Sequence, residues 1–198
     1  MKTRIFALLL AFSLLFCFTA CSGGEGSAAN FSRGTVSDGV YTNSFAGIVF
    51  SIPEEWDVYS DEELEEMYGS ILTSDEDGKM LTCYDFVAQA KDGTSFTVSY
   101  ENLGFLYGIT MDEEEYLELM LEELRSQMQS AYGDTVCEIG RTSVSGKIVS
   151  CINATVEVDG MKVCSCFVPK KVGDVMAEIT VGALSENAVK EVLTHVNF

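Results

Sequence analysis

Apolar side chains recur at every second position over several stretches of the chain, which is the period of a half-buried β-strand. The segment IVFSI at 48–52 has this alternation, and Pro53 ends it because proline cannot donate to a sheet ladder. Four longer stretches late in the chain also predict strands, at about residues 137–144, 148–158, 161–169 and 175–181.

Two Asp-Gly pairs separate strand-like stretches, and Asp-Gly is a strong signal for a two-residue hairpin turn. At Asp92-Gly93, such a turn sets Val87 opposite Val98. At Asp159-Gly160, it sets residue 157 opposite residue 162, which places a glutamate across from a lysine. The chain therefore predicts antiparallel hairpins with defined registers.

A helical period of apolar residues appears between residues 111 and 132 and predicts one long helix. Its N-terminal cap is either Thr110 with Glu113 or Asp112 with Glu115, and a hydrophobic staple favours the second. Shorter helices are predicted over 60–68, capped by a serine, and over 186–195. Together these elements predict an α+β fold, a mostly antiparallel sheet covered by helices.

The first 21 residues have the order of an export signal. Lys2 and Arg4 precede an apolar run at 5–18, which is shorter than the roughly 20 residues needed to span a bilayer. The tetrad Phe18-Thr19-Ala20-Cys21 then resembles the lipobox of bacterial lipoproteins. This resemblance implies that residues 1–20 are removed as a signal peptide and that Cys21 carries lipid chains such as palmitate, whereas a plain secretory signal is the alternative.

Residues 22–38 are rich in Gly and Ser and predict a flexible tether, so that the folded domain covers residues 39–198. The formal net charge is −19 and becomes −21 when Lys2 and Arg4 leave with the signal. Such an acidic domain is repelled by nucleic acid and by anionic lipid head groups. Membrane attachment is therefore expected through the lipid at Cys21, and no nucleic-acid partner is expected.

Five cysteines remain once Cys17 and Cys21 are set aside, and an odd number argues against a complete disulfide framework. The register of the hairpin at 159–160 places Cys151, Cys164 and Cys166 on one face of the sheet, with Cys151 diagonal to Cys166. Such a cluster suits a soft metal or a redox pair. Small thiols buried under a helix explain it as well, and this second interpretation is favoured, with no metal or cofactor predicted.

The sequence contains no nucleotide-binding loop, serine-hydrolase elbow or zinc-protease motif. Its single histidine, His195, lies at the end of the last predicted helix, where it is more suited to capping than to catalysis. The protein is therefore not predicted to be an enzyme, and a hydrolase would need a cleft with convergent acids and a perturbed carboxylate. The candidate binding patch is Phe105, Leu106 and Tyr107, in an apolar connection between two glycines. The alternative is that these aromatic residues are buried against the end of the sheet above the long helix.

The domain opens with Tyr41-Thr42-Asn43, followed by Gly47-Ile48, Phe50, Ile52-Pro53 and Trp56. This opening resembles that of small exported proteins with the PsbP/Mog-like fold. The resemblance implies an α/β/α sandwich of the kind found in uncharacterised Gram-positive lipoproteins. It also implies a non-catalytic binding or accessory module on the outer face of the cytoplasmic membrane, with a protein partner. The alternative is a carrier of a small apolar ligand or lipid held between sheet and helix.

Overall fold

The computed structural model describes residues 27–198, and the side chains at 27, 29, 105, 106 and 109 lie outside that description. Within this part of the chain the helices are α1 (Asp61–Tyr68), α2 (Gly104–Thr110), α3 (Glu113–Tyr132) and α4 (Glu186–Leu193). The strands are β1 (Thr35–Ser37), β2 (Val40–Asn43), β3 (Ile48–Ser51), β4 (Asp57–Val58), β5 (Leu72–Ser74), β6 (Met80–Gln89), β7 (Ser95–Asn102), β8 (Thr135–Val144), β9 (Lys147–Val158), β10 (Met161–Val172), β11 (Val175–Ala183) and β12 (Val196–Asn197).

Two antiparallel sheets are present. The large sheet has the order β4-β6-β7-β11-β10-β9-β8, with β5 also paired to β6, and the small sheet has the order β1-β2-β3-β12. The predicted α+β class with a mostly antiparallel sheet is confirmed, but the small sheet as well as helices covers the large sheet. The final helix ends at Leu193, two residues earlier than predicted, because the chain then forms β12 against β3.

The two faces of the large sheet pack against different partners. On one face, the aromatic residues of the small sheet meet those of β6 and β7, and the rings of Phe50 and Phe96 stack with centroids 3.9 Å apart. On the other face, α3 packs its apolar stripe against β8, β9 and β10. The predicted cap of α3 is confirmed, since the Asp112 carboxylate accepts hydrogen bonds from the backbone of Glu114 and Glu115, both at 2.9 Å.

The register of the β6–β7 hairpin differs from the sequence prediction by one residue. Phe86, not Val87, lies opposite Val98. The Ala90 backbone N–H donates to the Thr94 oxygen at 2.8 Å, so three residues rather than two form the turn. A bulge at Asp85 then shifts the register of β6 again. By contrast, the predicted pairing of Glu157 with Lys162 across the turn at 159–160 is confirmed.

The predicted tether is too long, because residues 28–38 pack against the domain. Asp85 is the reason: its buried carboxylate accepts hydrogen bonds from the Tyr41 hydroxyl (2.6 Å), the Asn43 amide (2.9 Å) and the Gly34 backbone (2.8 Å). Arg33 donates to it at 3.2 Å and also forms a bidentate pair with Asp61. A buried carboxylate with this many donors fixes the segment in place.

The apolar connection before the long helix is also different from the prediction. Residues 104–110 form α2, not a loop. The helix docks on the turn between β10 and β11, and at Gly108 a Cβ atom would lie only 2.6 Å from the Asp174 Cβ atom. The glycine therefore permits this close approach.

Candidate functional site

A groove lies between α4 and the outer strands of the large sheet, on the face opposite α3. Its walls are α4 and β8, and its floor is formed by β9 and β10. The deeper part has a volume of about 180 Å³, and a more open part of about 600 Å³ adjoins it. Both parts are bordered by Thr142 on β8 and Lys190 on α4, so they form one continuous surface.

The floor of the groove is polar and contains thiols. Asn153 and Thr155 on β9 lie opposite Cys166 and Cys164 on β10. The Thr155 hydroxyl donates to the Cys164 sulfur at 3.9 Å. The Asn153 amide lies over Gly140 of β8, where a Cβ atom would be only 2.5 Å from the amide nitrogen, so the glycine leaves room for the amide.

Charged side chains of both signs border the groove. Lys162 donates to Glu186 at 2.9 Å at one end, and this pairing lowers the pKa of Glu186. Lys190 stands one turn further along α4, next to the open part. The groove therefore offers hydrogen-bonding and charged groups to a polar ligand.

The groove exists because α4 is short. A helix of eight residues is about 12 Å long, whereas a 12-residue strand such as β9 or β10 extends over about 40 Å. Only Val189, Val192 and Leu193 of α4 are buried against the sheet. The small sheet covers another part of this face, and the part beside α4 is left for a ligand or a partner.

The three clustered cysteines are placed as the sequence predicts, on one face of β9 and β10. All five described cysteines are free and buried. The Cys166 thiol hydrogen-bonds to Cys151 and thereby lowers the pKa of Cys151, while the pKa of Cys166 is raised. Among the described residues, no group of three or more His, Cys, Asp or Glu side chains is arranged to hold a metal ion.

A second polar cluster lies on the opposite face, under α3, and sequence reasoning missed it. The Tyr116 hydroxyl of α3 lies 3.0 Å from the Glu101 carboxylate of β7 and also contacts Glu178 of β11. Ser99 donates to Glu178 at 3.3 Å. The one signal in the sequence is an acid at 178 inside an otherwise apolar strand.

Burial raises the pKa values of the Glu101 and Glu178 carboxyl groups, so that both groups keep their protons to higher pH than an exposed glutamate. It raises the pKa of Glu101 to about 8, with the nearby Glu178 charge adding to the effect, and the pKa of Glu178 to about 7. Hydrogen bonding with the Tyr116 hydroxyl opposes the rise in each pKa. The adjoining apolar gap, lined by Leu117, Met120 and residues of β9–β11, measures about 10 Å³, which is room for about one water and not for an acyl chain.

The remaining predicted site residues are only partly described. Cys21 and the side chains of Phe105 and Leu106 lie outside the described residues, and Tyr107 on α2 is 61% exposed. His195 lies just after α4, and its backbone oxygen accepts a hydrogen bond from Ser51 at 3.0 Å. None of the described helices is long and apolar enough to cross a bilayer.

Three solved structures that match the chain are distant from it in sequence. A crystal structure from Bacteroides thetaiotaomicron VPI-5482 has 12% identity and a TM-score of 0.43, and the match covers 80% of this chain and 47% of that one. LpqN, involved in cell envelope biogenesis of Mycobacterium tuberculosis, has 9% identity and a TM-score of 0.39, with 76% and 82% covered. Protein PA94 of unknown function from Pseudomonas aeruginosa has 10% identity and a TM-score of 0.35, with 81% and 88% covered.

This chain spans about half the length of the Bacteroides protein. No protein-family model matches the chain, and no curated protein sequence matches it either. At these identities and TM-scores, the solved structures transfer no residue role, ligand or activity to this protein.

Proposed function

We propose that this protein is a cell-envelope lipoprotein, anchored through Cys21, that acts as a non-catalytic binding module on the outer face of the cytoplasmic membrane. Its binding surface is the groove between α4 and β8–β10. The observation that carries the proposal is the open, polar floor of that groove, with its amide, hydroxyl and bordering lysines. Such a surface suits a polar ligand or a polar segment of a partner protein.

The anchor is supported by the sequence. A basic start, an apolar run and a small-residue site end directly at Cys21. The net charge of −19 opposes binding to anionic head groups through the protein surface, so that lipid must supply the attachment. Two acyl chains give a stable anchor, whereas one gives a weak one.

The accessory-module character is supported by the resemblance of residues 41–56 to PsbP/Mog-like proteins. Helix α3 covers one face of the large sheet, and α4 together with the small sheet covers the other, so that a helix lies on each face, which supports the proposed layering. Tyr107, exposed on α2, is a second contact point outside the groove.

A carrier of an apolar ligand is the competing function. It would need an enclosed space between the sheet and a helix, whereas the apolar gap under α3 has room for about one water. The polar floor of the groove also suits an acyl chain poorly. We therefore place the carrier second.

Membrane fractionation of cells that express the full chain tests the anchor. Cys21→Ala is expected to move the protein from the membrane to the soluble extracytoplasmic fraction or to leave it uncleaved. Cys17→Ala, a cysteine four residues earlier in the apolar run, is the matched control and should remain processed and anchored. Cys21→Ala protein that is cleaved and still fractionates with the membrane would refute the lipoprotein.

Native mass spectrometry separates the binding module from the carrier. The domain from residue 27 onward is measured folded and then denatured. The proposal predicts no lipid-sized mass that denaturation removes. Such a mass in the folded protein would favour the carrier and overturn the assignment of the groove.

A further inference from the structure

The N-terminal part of the described chain is attached to the same turn that holds α2. The Ala28 backbone N–H donates to the carboxylate of Asp174, in the turn between β10 and β11, at 2.8 Å. The Leu103 backbone N–H, just before α2, donates to the Asp174 backbone oxygen at 2.8 Å, and Gly108 of α2 lies against the same residue. Helix α2 and the start of the domain therefore lie together at one end of the large sheet.

The length of the chain limits the distance between this end of the domain and the lipid. Seven peptide units join Cys21 to Ala28. A chain extends by at most about 3.6 Å per residue, so the two residues are at most about 25 Å apart. Strand β10 alone is about 40 Å long. With lipid chains on Cys21, the end of the domain that carries Ala28 and α2 is therefore the end nearest to the bilayer.

Helix α2 has a surface that suits this position. Residues 102–111 contain no charged side chain, in a protein whose net charge is −19. Tyr107 is 61% exposed, and among the described side chains it is the only exposed aromatic one. Tyrosine combines an apolar ring with a polar hydroxyl and is enriched at the boundary between acyl chains and head groups. An uncharged helix also avoids the repulsion between anionic head groups and the acidic remainder of the protein.

The charged residues next to α2 include both signs. The Lys171 ammonium group donates to the Met111 backbone oxygen directly after α2, and Lys170 precedes it on β10. At the start of α3, Asp112 caps the helix, and Glu113 accepts a hydrogen bond from the Lys171 backbone at 3.0 Å. The two lysines therefore offset the acids beside α2.

We propose that the surface of α2 around Tyr107 lies in the membrane interface and sets the orientation of the anchored domain. This inference rests on the proposed lipid anchor at Cys21. The Tyr107 ring lies at the level of the head groups, and α2 rests on the bilayer without crossing it. Because the anchor keeps the domain close to the lipid, a small contact is sufficient to hold this orientation. The deeper part of the groove, which includes Val136, then faces away from the membrane.

Fluorescence quenching by brominated lipid tests this orientation. The mature chain, residues 21–198, is coupled through the Cys21 thiol to a maleimide-bearing phospholipid in phosphatidylcholine vesicles. The five other cysteines of this chain are buried and do not react while it is folded. Tyr107→Trp is made in a Trp56→Phe background, so that it provides the one tryptophan. Lipids brominated near the glycerol end of their acyl chains should remove most of its emission, because bromine quenches only tryptophans close to it.

Val136→Trp in the same background is the matched control. Val136 is also 61% exposed, and it lies in the row of paired residues that ends at Ala183 of β11. The nine residues of β11, about 30 Å, separate that row from the turn at Asp174. The emission from position 136 should keep its intensity. Quenching at neither position, or equal quenching at both, would overturn the proposal.

A measurement on the unsubstituted chain keeps the test decisive if a tryptophan variant fails to fold. Amide hydrogen exchange is compared between the chain coupled to vesicles and the same chain uncoupled in solution. The backbone amides of α2 should exchange more slowly on the vesicles, whereas those at residues 135–137 should not change. Unchanged exchange in α2 would contradict the proposal. Because the coupled lipid supplies the anchor, failure of lipidation in cells and failure of α2 to reach the bilayer are separate results.

Discussion

The two helices that flank the β8–β10 part of the sheet differ in length, and they therefore cover different amounts of it. Helix α3 has 20 residues, about 30 Å, and buries five side chains against one face. Helix α4 has eight residues and leaves part of the opposite face open as the groove. The closed face accounts for stability, and the open face provides the proposed binding surface.

The side chains of the sheet also differ between the closed face under α3 and the open face beside α4. Under α3 the sheet is mostly apolar, and its polar cluster is the proton-holding pair Glu101 and Glu178 with the Ser99 hydroxyl bonded to Glu178. Beside α4 it presents Asn153, Thr155 and thiols. The polar groups of an open surface need no hydrogen-bond partner within the protein, because water or a ligand can form those hydrogen bonds.

Truncation of the closed face should have the largest effect. Leu124 is fully buried on α3. The variant Leu124→Ala should lower the free energy of unfolding by about 2–5 kcal/mol because it leaves a cavity in the core. Leu119→Ala on the same helix, at a position that is 53% exposed, should change it by less than about 0.5 kcal/mol. Denaturant unfolding measures both. Equal losses would mean that α3 does not close this face.

The carboxyl pair under α3 should make stability depend on pH. Glu101 and Glu178 keep their protons in the folded protein up to about pH 8 and 7, whereas an unfolded glutamate loses its proton near pH 4.3. Between those values the folded state binds more protons, so stability falls as pH rises from about 5 to 8, by at least about 2 kcal/mol.

Variants identify the source of that pH dependence. The double variant Glu101→Gln with Glu178→Gln should flatten the stability profile over this range. Glu118→Gln, at an exposed position of α3, is the control and should leave the slope unchanged. A profile that keeps its slope in the double variant would contradict the assignment of the protons to this pair.

The helix caps offer a smaller test of the same contrast. Asp112 accepts two backbone hydrogen bonds at the start of α3, whereas Ser185 accepts one, at 3.2 Å, at the start of α4. Asp112→Ala should lower the unfolding free energy by about 1 kcal/mol, and Ser185→Ala by about half as much. Thermal unfolding gives the two values. A larger loss at Ser185 would mean that α4 contributes more to stability than its short contact suggests.

Local signals made much of the fold predictable. The caps at Ser60 and Asp112 and the hairpin at 159–160 depend on neighbouring residues, and the structure confirms them. The hairpin at 92–93 was displaced by one residue because a longer turn and the bulge at Asp85 have no distinct sequence signature. Short β12 was missed because only its pairing with β3 defines it.

The candidate site was harder to predict because it depends on contacts between distant segments. Glu101 and Glu178 meet only because β7 pairs with β11, and nothing in the sequence specifies that order of strands. The cysteine cluster was predicted because its residues lie within one hairpin. The groove beside it was not, since it depends on where α4 docks and on how little of the sheet that helix covers.

Site-specific photo-crosslinking in cells tests the central claim most directly. A benzophenone amino acid replaces Thr142 in the groove, or Leu119 on the outer side of α3, in the anchored full-length protein. We expect a crosslinked product from position 142 and none from position 119, and Lys190→Glu should weaken it without loss of folded protein. Equal crosslinking at both positions, or none at 142, would contradict a binding groove between α4 and the sheet.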